Sequence, residues 1–303
     1  MKHAILITTH NNEEITQQLL KAYDDENIDF YIHVDKKAVH YKHDLIMNVC
    51  HKSHVYFIDA LKIYWGTYSQ IESELVLLRE ATKKEYDYYH LISGCDIPLF
   101  TKKDFLNFFE DNKGMEFVEF SPEEVAIENK VIDRVKYYYI FMNSIRNTHT
   151  ILRKPQTFMR ETFLKFQKVL NVNRIGNQQF KYGSNWFDIT HDFAKYVIEL
   201  QKWIEKYFKH SCCGDELFLQ TLLYNSKFSK NNYYDLPKEE RKIQLGRYVD
   251  WQRGNPYTFL EEDYEEIINI HSSFFIRKFD YRKDSKIVDR LFQNLEGGVM
   301  NEI

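Results

Sequence analysis

The chain has 303 residues, 44% hydrophobic and 28% charged, which is enough to bury a sizeable core and ordinary for a globular protein. Its formal net charge of −4 makes no global case for nucleic acid, and four cysteines without a framework spacing imply no disulfide scaffold and fit a reducing compartment. The first apolar run, Ala4 to Ile7, is too short for a signal peptide or anchor, and no other segment approaches spanning length, so the expected location is cytoplasmic.

Only five prolines and ten glycines occur, with no repeat and no low-complexity linker, so a single domain is expected. In chain order, "AILITT" from Ala4 reads as a buried strand. "NNEEITQQLLKAYDDEN" reads as a helix with Ile15, Leu19, Leu20 and Tyr23 on one face. "DFYIHVD" and "HVYFID" are further strands. "SQIESELVLLREATKK" is a helix with Ser69 as its cap, "YDYYHLISG" a strand, "TKKDFLNFFEDN" a helix capped by Thr101, and "GMEFVEF" another strand. The second half adds "FDIT", a long helix from about Asp192 to Phe208, and a helix opened by the pair Asp215-Glu216. Strand-helix alternation of this kind predicts an α/β sheet with ligand crevices at the strand ends.

Several stretches carry candidate chemistry, each beside a plain alternative. Asp35 in "YIHVDKK" sits at a strand's C-terminal end, where a carboxylate can accept from a uracil or ribose, or simply close a turn. Trp65, in "YWGTY", is placed to stack on a sugar or to seal the core. Asp96 follows the strand end Ser93-Gly94, as a substrate loop or a structural turn would. "YGSNWFDIT" places the small residues Gly183 and Ser184, with Asn185, ahead of Trp186, a platform for a pyranose face or a bulge before a core strand. In "SFFIRKFDYRK", Arg277 and Lys278 stand in an apolar frame without an adjacent acid. A half-buried cation needs a partner, and an anionic ligand such as a diphosphate would supply it. Cys212 and Cys213, next to each other in "HSCCGDE", lack the spacing of a zinc site. Between Arg134 and Val169, eight Lys or Arg residues face one acid, Glu161. A solvated helix face or loop explains this run, with contact to an anionic lipid or polymer as the alternative.

Seven blocks in order, "HVDKK", "WGTYSQIESELVLL", "YYHLISGCDIPL", "GSNWFDIT", "GDELFLQTLL", "RYVDW" and "FIRKFD", resemble the core-2/I-branching β-1,6-N-acetylglucosaminyltransferase family, which also contains the peptide O-xylosyltransferases. The resemblance runs from near residue 30 to about residue 280. It implies a GT-A, Rossmann-like nucleotide-sugar-binding fold with a mixed central sheet. All of 1–303 would form one domain, with a nucleotide-binding half to about residue 120 and an acceptor-binding and catalytic half after it. It also implies an inverting glycosyltransferase that uses a UDP-sugar, UDP-N-acetylglucosamine ahead of UDP-xylose, and needs no metal or other cofactor. By the same resemblance Glu216 is the catalytic base, Arg277 and Lys278 hold the donor diphosphate, and His33 and Asp35 lie in the uridine pocket. The sugar-contact set is Trp65, Asp96, Ser184, Asn185, Trp186, Asp215 and Trp251. Some branching enzymes use a further upstream arginine, for which Arg253 is a candidate.

The residues support the metal-independent expectation separately. No two aspartates lie two positions apart, so the Asp-x-Asp that holds a cation on the diphosphate in metal-dependent relatives is missing. Arg277 and Lys278 would then neutralise the leaving group. The expected partner is a glycan acceptor in surface-polysaccharide synthesis, lipid-linked or not, with peripheral contact at the inner face of the membrane. A non-catalytic nucleotide- or glycan-binding relative is the competing class, and would be expected to have lost the base or one of the cations.

Overall fold

The computed structural model describes residues 1–147 and 151–298. Strand and helix alternate through β1 (His3–Thr9), α1 (Glu13–Ala22), β2 (Ile28–Val34), a short α2 (Asp44–Met47), β3 (Val55–Ile58), α3 (Tyr68–Ala81) and β4 (Tyr88–Ser93). These strands pair in parallel in the order β3-β2-β1-β4. Next come β5 (Asp96–Pro98), α4 (Lys102–Asp111), β6 (Phe117–Val118), α5 (Glu123–Glu128), α6 (Asp133–Lys136), α7 (Met142–Arg146), α8 (Arg153–Val169) and β7 (Phe187–Thr190). β7 runs antiparallel to β4, and β6 antiparallel to β7, completing a mixed six-stranded sheet. The chain continues through α9 (His191–Glu199), α10 (Gln201–Phe208), a 3-10 turn at Gly214–Glu216, α11 (Phe218–Tyr224), β8 (Leu245–Val249), α12 (Tyr264–Ile268), β9 (Ser273–Arg277) and α13 (Ser285–Glu296). A second sheet places β9 between β5, antiparallel to it, and β8, parallel to it.

The central strands are apolar on both faces because both faces are covered. Side chains alternate along β1, so Ile5 and Ile7 join one core with α1, α4 and α13, while Ala4 and Leu6 join another with α3, α9 and α11. All four residues expected on the buried face of α1, Ile15, Leu19, Leu20 and Tyr23, are buried. The fold is thus α/β, as the strand-helix alternation predicts, with the mixed central sheet that the family resemblance implies.

Local details depart from the sequence reading where polar side chains take over backbone groups. Thr67 rather than Ser69 caps α3, accepting from Ser69 N, while Ser69 Oγ accepts from Tyr64 N at 2.8 Å. Thr101 caps α4 as expected. "GMEFVEF" yields only the two-residue β6. Its flanking glutamates turn inward, Glu116 accepting from Thr190 N at 2.8 Å and Glu119 from Gly246 N at 2.6 Å. The helix expected over Asp192–Phe208 is divided at Leu200 into α9 and α10. The acid pair lies on a 3-10 turn ahead of α11 rather than in its first turn.

The two sheets are joined by a buried polar chain. Arg247 of β8 reaches across to Asp188 of β7, with N–O distances of 3.1 and 3.3 Å, and donates to the Leu91 carbonyl of β4 at 2.8 Å. Asp188 also accepts from His90 Nδ1 at 2.9 Å, and His90 Nε2 meets His3 Nδ1 at 3.0 Å. Burial alone would raise the Asp188 carboxyl, but Arg247 and His90 hold it lowered. Burial lowers both His3 and His90, and one proton on each neutral ring satisfies the chain from His3 to His90 to Asp188.

Removing one partner of a buried ion pair strands the other charge. Asp188→Ala is therefore expected to cost about 3–5 kcal/mol in chemical denaturation, and a loss below about 1 kcal/mol would mean that the pair does not hold the sheets together. Burial also pushes Glu116 and Glu119 up to about 7. Each then keeps in the folded state a proton that the unfolded chain releases above its ordinary carboxyl range, so their contribution to stability falls as pH rises from there towards 7. Lowered histidines act in the opposite sense below their ordinary value, so the readout is the variant minus the parent. Glu116→Gln/Glu119→Gln should gain stability at pH 7.5 relative to pH 5, on the order of 2 kcal/mol per site; an equal effect at both pH values would refute it.

Candidate active site

A cavity of about 340 Å³ opens between the two sheets. One wall is made by the C-terminal ends of parallel strands: Thr9, His10 and Asn11 at the end of β1, Asp35 after β2, and Ser93 to Cys95 at the end of β4. This is where open α/β sheets bind ligands, because the chain diverges there to either side. Asn185 and Trp186 ahead of β7, Asp215 and Glu216 on the 3-10 turn, and Val249, Trp251, Pro256 and Arg277 from the second sheet complete it.

Register explains how distant blocks converge. In the small sheet Arg277 lies opposite Asp96 of β5 and Val249 of β8, so "CDIPL", "RYVDW" and "FIRKFD" meet side by side. The Arg277 guanidinium lies over the Trp186 ring at 4.4 Å, its Nε is 3.5 Å from Asp96 Oδ1, and Nη2 donates to Cys95 Sγ at 3.7 Å. Only 18% of its side chain is exposed, and Nε has no hydrogen-bond partner among the described residues. Asp96 is fully buried, receives Ser93 N and Oγ, and does not itself line the cavity. It positions Arg277 and the strand-end turn.

Glu216 is held at both ends. Its carboxylate pairs with Arg134 Nη1 at 2.6 Å, and its carbonyl accepts from Gly183 N at 3.0 Å. Gly183 has to be glycine: a Cβ there would lie 1.8 Å from the Glu119 carbonyl oxygen. Beside Glu216, Asp215 accepts from Gln70 Nε2 at 2.9 Å, and Gln70 in turn accepts from Gly66 N. Asp215 is pushed up to about 7 by burial first and Glu216 second. Glu74, on the same face of α3 as Gln70, is raised well above the usual carboxylate range, by burial and then by Asp215. One oxygen of each, Asp215 Oδ1 and Glu74 Oε2, is buried without a partner among the described residues. A carboxyl that keeps its proton near neutral pH can donate as well as accept, which suits binding of hydroxyl groups.

The remaining expected site residues divide by place. Asp35 lines the cavity, with Oδ1 accepting from Lys37 N at 2.9 Å and Ile63 N at 3.3 Å, and Oδ2 3.4 Å from Lys37 Nζ. His33 lines it too, but its Nε2 accepts from Leu61 N at 2.9 Å, so it shapes the loop ahead of Trp65. Trp65 and Trp251 stand exposed at the rim, with Arg146 lying 4.5 Å from the Trp65 ring centroid. Ser184 stays outside, its Oγ accepting from Trp186 N at 3.4 Å. Lys278 also does not line the cavity, though its charge lowers His10, which does, after the larger effect of burial. Arg253 is committed elsewhere, to Asp250, Asp263 and Glu266.

Sequence reading missed Arg134, Gln70 and Glu74. The first was counted only as one of a basic run; the other two lie four residues apart in "SQIESE", where acids and amides on an otherwise buried helix face were the available signal. Cys212 and Cys213 have their sulfurs 3.9 Å apart, and all four cysteines are free. Among the described residues no group of three or more His, Cys, Asp or Glu side chains converges as a metal site would.

Comparison with known proteins identifies the family of the chain. The chain is 24% identical over 300 residues to xylosyltransferase sqv-6 of Caenorhabditis briggsae, covering 92% of this chain and 34% of that protein. It is 22% identical over 305 residues to xylosyltransferase 2 of Rattus norvegicus, covering 93% and 32%. It therefore spans about a third of the length of these curated relatives. Among solved structures, apo mouse xyloside xylosyltransferase 1 aligns over 91% of this chain and 96% of its own, with TM-score 0.35 and 11% identity. The model of the Core-2/I-Branching enzyme family matches residues 4–270, and the chain belongs to that family of glycosyltransferases.

Proposed function

We propose that this chain transfers a sugar from a UDP-sugar to a hydroxyl of a glycan acceptor, with inversion at the anomeric carbon and without a divalent metal. The observation that carries the reading is the meeting, in one strand-end cavity, of the Glu216 carboxylate and the largely buried Arg277 guanidinium with donor capacity unspent.

In this reaction Glu216 takes the proton of the attacking hydroxyl as that oxygen bonds to the anomeric carbon. The bond from that carbon to the diphosphate breaks on the opposite face, and its electron pair leaves on UDP. Arg277, preorganised by Trp186 and Asp96, meets the charge that develops on the diphosphate, with Lys278 adding a longer-range contribution from outside the lining. Asp35 seats the uridine, and Asp215 and Glu74 receive sugar hydroxyls beside the base. Arg134 fixes the Glu216 carboxylate until an acceptor hydroxyl competes for it.

The relatives reported above are xylosyltransferases, so UDP-xylose is the first donor to test. UDP-N-acetylglucosamine, the donor expected from the branching members, is the alternative. Release of UDP should be followed across a panel of UDP-sugars in excess chelator, with and without candidate acceptors. Release from one donor despite the chelator is the expected result. Dependence on added Mg²⁺ or Mn²⁺ would overturn the metal-independent reading.

Glu216→Gln should lower turnover by about 10²–10⁴-fold while leaving UDP affinity in calorimetry within about twofold of the parent; near-normal turnover would remove Glu216 as the base. Arg277→Ala should weaken UDP binding by about 1.5–3 kcal/mol, and unchanged affinity would mean that the diphosphate lies elsewhere.

A further inference from the structure

We propose that the outward face of α8 is a docking surface for an anionic lipid bilayer, which holds the protein flat on a membrane. The inference stands apart from the reaction proposed above.

α8 is seventeen residues long, and of its side chains only Gln167 is buried. That residue ties the helix to the domain, accepting from Tyr138 N at 2.8 Å and donating to Tyr138 O at 3.0 Å. On the far side, large apolar residues stand in water: Ile151 is 96% exposed, Phe158 73%, Phe166 57%, Val169 78% and Leu170 58%. At 100° per residue, these positions and Met159 fall within an arc of about 120°. Such a stripe on a helix already anchored by its opposite side is not explained by the fold of the chain itself.

The charges beside the stripe identify what covers it. α8 carries Arg153, Lys154, Arg160, Lys165 and Lys168 against one acid, Glu161, in a chain of net charge −4. That acid is neutralised by Arg160 at 2.6 Å. Lys154 and Lys165 lie along one edge of the apolar arc, with Lys168 farther round and paired with Asp133 at 3.2 Å, so cations border an aromatic and aliphatic face. That is the pattern of a helix lying in a bilayer interface, with its apolar face among the acyl chains and its lysines at anionic headgroups. Two copies paired face to face through α8 would oppose like charges across the symmetry axis, which disfavours self-association. Among the described residues no helix is long and apolar enough to cross a membrane, so docking is in-plane. The segment beneath α8, Asp133 to Tyr139, also carries Arg134, the partner of Glu216. A docked α8 therefore keeps the base close to the bilayer, where an acceptor carried on a lipid would reach it.

Flotation with vesicles of equimolar phosphatidylglycerol and phosphatidylcholine tests this directly. The full chain should float with these vesicles, and at least about tenfold less with phosphatidylcholine alone or in about 0.5 M salt. Phe158→Ser/Phe166→Ser should lose vesicle binding while keeping its Tm and its UDP affinity, since both side chains are exposed. Lys154→Glu/Lys165→Glu should lose the preference for the anionic lipid. Failure of the parent to float, or binding indifferent to lipid charge, would overturn the inference. So would a dimer in sedimentation that Phe158→Ser/Phe166→Ser converts to monomer without any vesicle binding. UDP release measured in parallel separates the two proposals: release without flotation refutes only the membrane surface, and flotation without release under any condition refutes only the reaction.

Discussion

The geometry of the site depends on one buried charge pair. Arg247 and Asp188 are both about 1% exposed, and between them they join the end of the large sheet to the small one. A lone guanidinium or carboxylate at this depth would be untenable, and the pair is tolerable because every neighbour contributes: Leu91 offers a carbonyl, His90 a ring N–H, and Phe275 an aromatic face 4.5 Å from the guanidinium. Such a pair adds little net stability compared with apolar packing, yet it accepts only one arrangement of β4, β7 and β8. The gap between the sheets is the cavity, so its shape inherits that restriction.

Within the gap, charge is divided between elements. The cation lies on the small sheet and the carboxylates on the 3-10 turn and α3. Arg277 is stiffened by Trp186 on one face and Asp96 at its base, so it loses little freedom on meeting an anion, which is where a preformed cation site gains its advantage. Asp215 and Glu74 illustrate the opposite tactic: burial makes their charged forms expensive, and they become neutral donors and acceptors. Glu216, one residue from Asp215, stays partly exposed beside Arg134. One turn thus presents two carboxyl groups in different surroundings, Asp215 buried and raised, Glu216 paired with Arg134.

Family membership and geometry bear on different parts of the account. The family model covers most of the chain and places it in the Core-2/I-Branching enzyme family. The structure adds which side chains share a cavity. It shows Arg253 paired with Asp250, Asp263 and Glu266, and Asp96 and Ser184 outside the lining of the cavity. It also shows that much of the basic run after Arg134 lies on a helix face that the domain leaves uncovered.

The parts of this protein legible in its sequence are those governed by local periodicity and by short blocks. The strands β1 to β4 announce themselves through apolar runs, α1 through its buried face and α4 through its Thr101 cap, because each signal lies within a few residues, while Glu216 stood out as a candidate base only through the family resemblance of the "GDE" block. What the tertiary structure decided is pairing at long range. β5 is three residues long, too short to register as a strand, and exists because β9 hydrogen-bonds to it from the far end of the chain. Arg134 meets Glu216 across 82 positions, and Arg247 meets Asp188 across 59. Burial of Glu74 to 3% exposure turns a helix-surface acid into a lining group of the cavity. No window of sequence carries those distances: hydrophobic pattern determines which face of each element is buried, but which buried or half-buried polar groups end up together depends on how the sheets are ordered and docked.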